Sequence, residues 1–552
     1  MEMSEDIFLN VFRHYLGATP RIWPMLASVC QRWRQIIFSS PLTLNLRLCC
    51  TYRTPVSKSL DYWPALPIIL EYGGVPNLDP PAPQDDDNIT AALKQSGRVS
   101  SISLTVTRSL LEKLSAISEP FSELEEMTVL SRDNIQLTLP SNFRWGSRLR
   151  TLHSTRIAFP SFPQLLSPCQ DLVDLELHEI PSAGYFSPEA FANALSGMTQ
   201  LRTVSLHFLS FPRRRSFLSL PPPPGERILL SGLTRLKYRG ISKYLDILAA
   251  RIDAPRLGDI DITLFSQPTM DASQLGLFIE RIGLQAPLSR ADVEISAHAI
   301  SISFTNTSTS SPLRLQVSCK QLDWQLSCMA QVCDRISPFL FQVNNLGIST
   351  AQPLGGQSDV NSEQWMDLVR SFDGARDFRV ADKLTTEILC ALGRADGGHT
   401  AQPVLPALRH LRVENPMRMN EPSWGDLLSF INSRSLSGRP VQVNMPLSLC
   451  HICHASFRQQ TGVERHLVDE HAYRIMCSHC DFECTPGHND LFRKHLESEH
   501  PEVARNDALI YKSFLKSFQL SRLVNRHSSL REPDIVVLSP TITSPISSSS
   551  DT

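Results

Sequence analysis

Over about the first forty residues, apolar side chains recur at the spacing of a helix face. Ile7, Phe8, Val11, Phe12 and Leu16 form one stripe. After Pro20 and Pro24 a second runs Leu26, Val29, Cys30, Trp33, Ile36 and Ile37, with Gln31, Arg32, Arg34 and Gln35 on the other side. The pattern predicts two amphipathic helices, the second ended by Pro41. A unit of this size buries too little surface to stand alone, so its apolar faces are expected to pack on the next domain or on a partner. The stretch Pro76 to Asp87, with Asp85, Asp86 and Asp87 in series, reads as a loop or linker.

Beyond it the period changes. The chain spells apolar-x-x-apolar-x-apolar at Val99/Ile102/Leu104, Leu124/Met127/Val129, Leu172/Leu175/Leu177, Leu201/Val204/Leu206, Leu233/Leu236/Tyr238 and Leu257/Ile260/Ile262. A seventh match, Leu149/Leu152, ends on the polar Ser154. Successive starts lie 25, 25, 23, 29, 32 and 24 residues apart. That spacing resembles leucine-rich repeats, in which each unit supplies a strand and a return segment. The longest interval holds an insertion, Arg213-Arg214-Arg215 and Pro221 to Pro224, and weaker triplets recur at Val343/Leu346/Ile348, Ala375/Phe378/Val380 and Leu408/Leu411/Val413. Eight residues after the starts, where the repeat pattern wants Asn or Cys, stand Ile157, Ile180, Leu209, Ile241 and Phe265. The repeats are therefore degenerate, with apolar packing replacing a polar ladder. Residues 288–320 fit poorly and read as an irregular pair of strands.

The densest chemistry follows the repeats. Cys450 and Cys453 are followed after twelve residues by His466 and then His471. Zinc takes four tetrahedral N/S ligands; two thiolates on a hairpin turn and two histidines about a helical turn apart supply them. Phe457 and Val463 stand where a small ββα unit needs its core. This segment resembles the classical two-Cys, two-His zinc finger. A second unit has Cys477, Cys480, His495 and His500, with Phe492 in the core place. Its loop is two residues longer, and Cys484 stands where the aromatic core residue belongs, as a core substitute or as a competing ligand. Two zinc ions are the implied cofactors. Between Cys450 and His500 five basic side chains face eight acidic ones, a net charge of −3, the wrong sign for phosphate. The base-reading places of the first unit fall on Gln459, Gly462 and Arg465, and a glycine offers nothing to a base edge. The fingers thus read as a structural or protein-binding module, the alternative being a zinc-finger regulator that binds nucleic acid.

The two amino-terminal stripes, Ser4-Glu5-Asp6-Ile7-Phe8-Leu9-Asn10-Val11-Phe12 and Leu26 through Ile36 with Val29-Cys30-x-x-Trp33 at its centre, resemble the F-box. Leu44 to Leu48 and Trp63 to Pro67 are similar to the large F-box families of mushroom-forming fungi. The resemblance implies docking on the Skp-type adaptor of a cullin-RING ubiquitin ligase, with the repeats selecting a protein substrate. Ile7, Phe8, Val11, Phe12, Leu26, Val29 and Trp33 would form or support the adaptor-facing surface.

Composition narrows the classes. Lys+Arg 53 against Asp+Glu 55 leaves no global basic field for nucleic acid or an anionic membrane. No apolar run reaches a bilayer-spanning length, and Glu2, Glu5 and Asp6 stand where a signal peptide needs positive charge, so an intracellular protein of cytoplasm or nucleus is expected. Thirteen cysteines, an odd number, argue for free thiols and metal ligands over a disulfide framework; the eight outside the fingers read as small buried hydrophobes. No Gly-rich phosphate loop, Gly-x-Ser-x-Gly elbow or His-Glu-x-x-His helix is present, so no enzyme is expected. The expected fold class is α/β: F-box helices over 1–42, a helical or linker segment over 43–95, a leucine-rich-repeat-like solenoid over 96–440, tandem ββα zinc fingers over 446–502 and a disordered tail over 528–552.

Overall fold

The computed structural model describes residues 4–444 apart from 19–21, 52–53, 55–59, 61–64, 73–82, 115, 118, 132–136, 141–142, 160, 211–226, 268–269, 271, 283–287, 306–312, 351–361, 382–386, 393–403 and 415–420. Beyond these it describes 448–449, 456–457, 475–476, 483–484, 494–495 and 498–499. The chain divides into two compact units, Met1–Pro446 and Leu447–Thr552. It is a mixed α/β protein built on a large, mostly parallel sheet. Among the described residues no helix is long and apolar enough to cross a membrane. The expected tail over 528–552 and the insertion at Arg213–Arg215 lie outside the described residues.

The first unit opens with three helices rather than two: α1 Glu5–Ala18, α2 Trp23–Val29 and α3 Gln31–Ser39. The second apolar stripe is cut at Cys30, whose backbone is extended and whose thiol accepts a hydrogen bond from the Trp33 N–H, 3.5 Å away. A side chain that satisfies an N–H in the first turn favours starting a new helix there. This gives the Val29-Cys30-x-x-Trp33 spacing its physical content: the sulfur caps α3, and Trp33 is set one turn in to face α1. Trp33 meets Phe12 edge-on at 4.9 Å and Phe8 at 6.0 Å. Trp23 is buried and donates its indole N–H to the Arg47 carbonyl, 2.8 Å away, which ties the helices to the start of the sheet. Phe12, Leu16, Trp23, Ala27, Ile36 and Ile37 share one apolar core with the strands that follow.

The strands of the principal sheet are, in chain order, β1 Leu48–Thr51, β2 Ile68–Tyr72, β3 Val99–Val106, β4 Glu126–Ser131, β5 Thr151–Thr155, β6 Asp174–Ile180, β7 Thr203–Phe208, β8 Arg235–Gly240 and β9 Asp259–Phe265. They continue as β10 Arg290–Ile295, β11 Ala299–Thr305, β12 Leu313–Ser318, β13 Asn345–Thr350, β14 Asp377–Val380, β15 His410–Val413 and β16 Gln442–Asn444. From β1 to β9 each pairs in parallel with the next. The triplet residues align across the ladder. Ile102, Met127, Leu152, Leu175, Val204, Leu236 and Ile260 are successive register partners, all buried. Two residues on, Leu104, Val129, Ser154, Leu177, Leu206, Tyr238 and Ile262 form a second row. Ser154, the odd member in the sequence, is buried there with its hydroxyl unbonded. Helices in the return segments supply Leu245, Leu248, Phe278, Met329, Trp365 and Leu368 to the same core, so the apolar face of the sheet is covered.

Two stretches differ from expectation. Residues 43–95, expected as a helical or linker segment, contribute β1, β2 and the helix Pro83–Leu93. Asp86 and Asp87 lie near the start of that helix, where the partial positive charge of unsatisfied N–H groups favours carboxylates. Residues 288–320 form a regular antiparallel meander of three strands, β10, β11 and β12, not an irregular pair. It enters the sheet reversed: β9 pairs in parallel with β12, and β10 with β13. The apolar row runs through it unbroken, from Ile260 to Leu313, Phe304, Ala291, Leu346, Phe378 and Leu411. Only the middle strand runs against the rest, so a two-step detour leaves the direction and the pleat of the ladder intact.

Neighbouring repeats are also joined outside the sheet. The Asp246 carboxylate, on the helix Ser242–Arg251, accepts from the N–H groups of Gln274 and Leu275 at 2.6 and 3.2 Å and so caps the helix Ser273–Ile282 of the next repeat. Arg281 reaches back to Asp253 at 2.6 Å and to the Ala249 carbonyl at 2.7 Å.

Candidate interaction surfaces

The sequence-predicted docking residues divide by exposure. Phe12 is 1% exposed and Phe8, Leu26 and Trp33 are partly buried against the core, so these four build the helical unit. Ile7, Val11 and Val29 face outward, at 48%, 54% and 60% exposure. Tyr15 and Met25, which sequence reasoning passed over, join them at 53% and 71%. Ile7, Val11 and Tyr15 stand at i, i+4 and i+8 of α1, and Met25 and Val29 at i and i+4 of α2, so each helix shows an apolar row to solvent. The missed signal was the spacing: Tyr15 extends the Ile7–Val11 row by one helical turn.

The second surface is the uncovered face of the sheet. Successive residues of a strand point to opposite faces, so the positions between the buried triplet members form polar rows. One reads Ser103, Thr128, His153, Glu176, Ser205, Lys237, Asp261 and Arg314 in register. In its middle four ionisable groups meet. Glu176 lies 3.2 Å from His178 Nε2 and 3.9 Å from His153 Nε2; His178 Nδ1 lies 2.9 Å from His207 Nδ1. The contacts use opposite sides of the His178 ring. Consistently, among the described residues no group of three His, Cys, Asp or Glu side chains is placed to hold a metal. Beside the cluster Arg156 and Glu179 form an ion pair, both with positive φ, at 62° and 51°.

Burial pushes the His207 ring down to about 4, helped by His178, Arg239 and Lys237 and opposed by Glu176. The unfolded ring, near its ordinary value of about 6.5, takes up its proton earlier as the pH falls. Acidification from about 6.5 toward about 4 should therefore favour the unfolded chain. Partial exposure of the ring limits the loss to about 1–2 kcal/mol. Melting temperature measured between neutral pH and pH about 4.5 should fall less for His207→Gln than for the wild type; identical profiles would remove His207 from the account.

Polar pairs neutralise most of the remaining sheet face. Arg235 bonds Asp259 at 2.7 Å, Arg290 bonds Asp292 at 2.7 Å, and Arg379 lies 3.3 Å from Asp292 and 3.9 Å from Glu414. The Arg379 to Asp292 contact crosses a whole strand, because Gly347 lies between them in register. A Cβ on Gly347 would stand 2.6 Å from the Asp292 carboxylate, so only glycine leaves the channel open.

Of the eight cysteines outside the fingers, Cys50, Cys169, Cys328 and Cys333 are buried, as expected, and burial raises all four thiols, Cys50 and Cys169 to about 12. The other four depart from that expectation: Cys49, Cys319 and Cys390 are half-buried, and Cys30 is exposed and used as the helix cap.

Of the expected zinc ligands, Cys450, Cys453, His466, His471, Cys477, Cys480 and His500 lie outside the described residues; only the placement of His495 is given. The strands around them carry information. Ser448–Leu449 pairs antiparallel with Ser456–Phe457, and Ile475–Met476 with Glu483–Cys484. Ser448 is opposite Phe457 and Ile475 is opposite Cys484, so each hairpin pairs the residue two before its first Cys with the residue four after its second. Cys484 thus holds in the second hairpin the register position that Phe457 holds in the first. Ser498 donates its hydroxyl to the His495 carbonyl, 3.2 Å away.

No protein-family model matches the chain, and no curated protein does. Among solved structures it is similar to the leucine-rich repeat-containing protein LegL7 from Legionella pneumophila, at 12% identity, covering 60% of this chain and 97% of that one, with a TM-score of 0.25. The repeat architecture therefore rests on the strand ladder itself.

Proposed function

We propose that the protein is a non-catalytic, substrate-recruiting F-box subunit of a cullin-RING ubiquitin ligase, acting inside the cell. The observation that carries the reading is the outward apolar row on each of α1 and α2, held by a Phe8–Phe12–Trp33 aromatic core. Exposed apolar patches on a folded unit mark a partner site. A Skp-type adaptor, itself bound to the cullin, is the partner that the F-box resemblance implies. The polar face of the repeat sheet would select the protein target. The fingers would hold one zinc ion through Cys450, Cys453, His466 and His471 and another through Cys477, Cys480, His495 and His500. The matched register of the two strand pairs supports this, since in the sequence each pair flanks a Cys-x-x-Cys at the same offset. A bound ion there would lock each hairpin to its helix and present a further protein-binding surface; the acidic charge of the segment argues against nucleic acid.

Co-purification of full-length protein with a Skp-type adaptor tests the docking claim. Wild type should capture it, and Val11→Asp combined with Met25→Asp should lower capture by at least about tenfold, because both charges would be buried at the interface. Both positions are exposed, so the variant should keep the wild-type melting temperature. Failure of folded wild type to capture the adaptor would sink the reading.

A further inference from the structure

The polar face of the sheet neutralises its own cations almost everywhere, with one break. Lys237 and Arg239 on β8 and Arg314 on β12 form no ion pair among the described residues, while Arg235, Arg290 and Arg379 on the same face are each held by a carboxylate. Arg239 and Arg314 are exposed and Lys237 half-buried. Lys237, Asp261 and Arg314 are successive register partners on β8, β9 and β12, so the two cations stand two strands, roughly 10 Å, apart. Lys237 and Arg239 alternate on one strand and stand about 7 Å apart. Asp261 lies between Lys237 and Arg314 and forms an ion pair with neither, which leaves two positive charges uncompensated. The other nearby carboxylates are engaged, Glu176 by His178 and Asp259 by Arg235. The Arg239 guanidinium lies 6.0 Å from the centre of the Phe265 ring, which gives it an apolar floor.

We propose that this part of the sheet face binds an extended acidic peptide of the target protein, with Lys237 and Arg239 taking carboxylate or phosphate groups carried at alternate residues and Arg314 taking a further acidic group beside them. An extended chain repeats its side chains on one face about every 7 Å, which is the spacing of Lys237 and Arg239. Ser205, Thr263 and Gln316 flank the cations in register and add hydrogen-bonding groups. The proposal deepens the target-selection role given above and rests on it. It is independent of adaptor docking, which uses α1 and α2.

Fluorescence anisotropy on full-length protein tests it with three labelled peptides: a glutamate-rich sequence, its phosphoserine counterpart and its glutamine counterpart. The glutamate peptide should bind at least about tenfold more tightly than the glutamine one, and Lys237→Ala with Arg239→Ala should remove that difference. Arg412→Ala, at the far end of the same face, should change binding little. Tighter binding of the phosphoserine peptide would identify phosphate as the recognised group, and equal binding would identify negative charge in general. Equal affinity for the glutamine peptide, or an unchanged affinity in the double variant, would overturn the proposal. So would capture of single-stranded nucleic acid in preference to both anionic peptides. Adaptor capture measured on the same preparations separates the two claims: loss of capture with peptide binding kept removes only the docking reading.

Discussion

Removing zinc should unfold the carboxy-terminal hairpins and leave the sheet unit standing. Each hairpin is a pair of two-residue strands, far too short to bury a core of its own. In small units of this kind the metal supplies the folding free energy, about 10–16 kcal/mol of apparent binding at neutral pH. The sheet unit is separately compact and owes its stability to the apolar rows, so its melting transition should persist in chelator. Purified protein should carry two zinc ions per chain, Cys450→Ser one, and proteolysis after chelation should cut within 447–502 first. Cys484→Phe decides the remaining ambiguity. If Cys484 only fills the place that Phe457 fills in the first hairpin, the variant keeps both ions; if it is a ligand, the second ion is lost. A zinc content unchanged by Cys450→Ser would exclude the first site.

The second large effect is expected at Gly374, in the turn before β14. A Cβ there would collide with the carbonyl oxygen of Phe341 in the preceding repeat and lie 2.7 Å from its carbonyl carbon and 3.2 Å from its Cα. The obstacle is backbone, which cannot swing aside as a long side chain can. Gly374→Ala must therefore part β13 from β14 or push Phe341 outward, at a cost of about 3 kcal/mol or more. Gly258 is the matched control: it stands just before β9 in a corresponding turn, and a Cβ there meets nothing within 4 Å. Denaturant unfolding should show a much lower midpoint for Gly374→Ala and one near wild type for Gly258→Ala. Similar midpoints for the two would show that the repeats tolerate separation at this joint.

These expectations show what one-dimensional reading could and could not reach. The apolar-x-x-apolar-x-apolar triplets were legible because burial on one face of a strand has a period of two, set by covalent geometry. Leu175, Val204, Leu236 and Ile260 accordingly align as partners. The polar substitution at Ser154 was legible for the same reason. The break at Cys30 was harder to see, because the apolar stripe runs straight through it, and the helix ends there through a single capping contact. The strands within 43–95 are hard to read because β1 and β2 are short: the β2 match, Ala65/Ile68/Leu70, opens on a weakly apolar alanine, and the corresponding place of β1 is the polar Asn45. The Asp run reads as a linker by composition, although the same residues suit a helix start. Residues 288–320 read as an irregular pair of strands, not a regular meander of three, because β10 to β12 alternate correctly yet arrive too close together for the repeat period.

Of the candidate surfaces, the sequence supplied the apolar residues of α1 to α3 without dividing them. That Phe12 and Trp33 turn inward while Ile7, Val11 and Met25 turn outward depends on how three helices pack, which no stripe encodes. The polar sheet face is not legible in the sequence, because its partners are distant along the chain. His178 and His207 are 29 residues apart, and Arg379 and Asp292 are 87 apart.

By itself the sequence determined the local periods, and with them which segments become strands, which side of each is buried, and where cysteine and histidine spacing suits zinc. Only the tertiary structure decided the order β9–β12–β11–β10–β13 and, through that order, which charges on the polar face find partners. The physical reason is range. Alternation is imposed residue by residue, whereas the pairing of Arg379 with Asp292 and the isolation of Lys237, Arg239 and Arg314 depend on which strands the fold sets side by side.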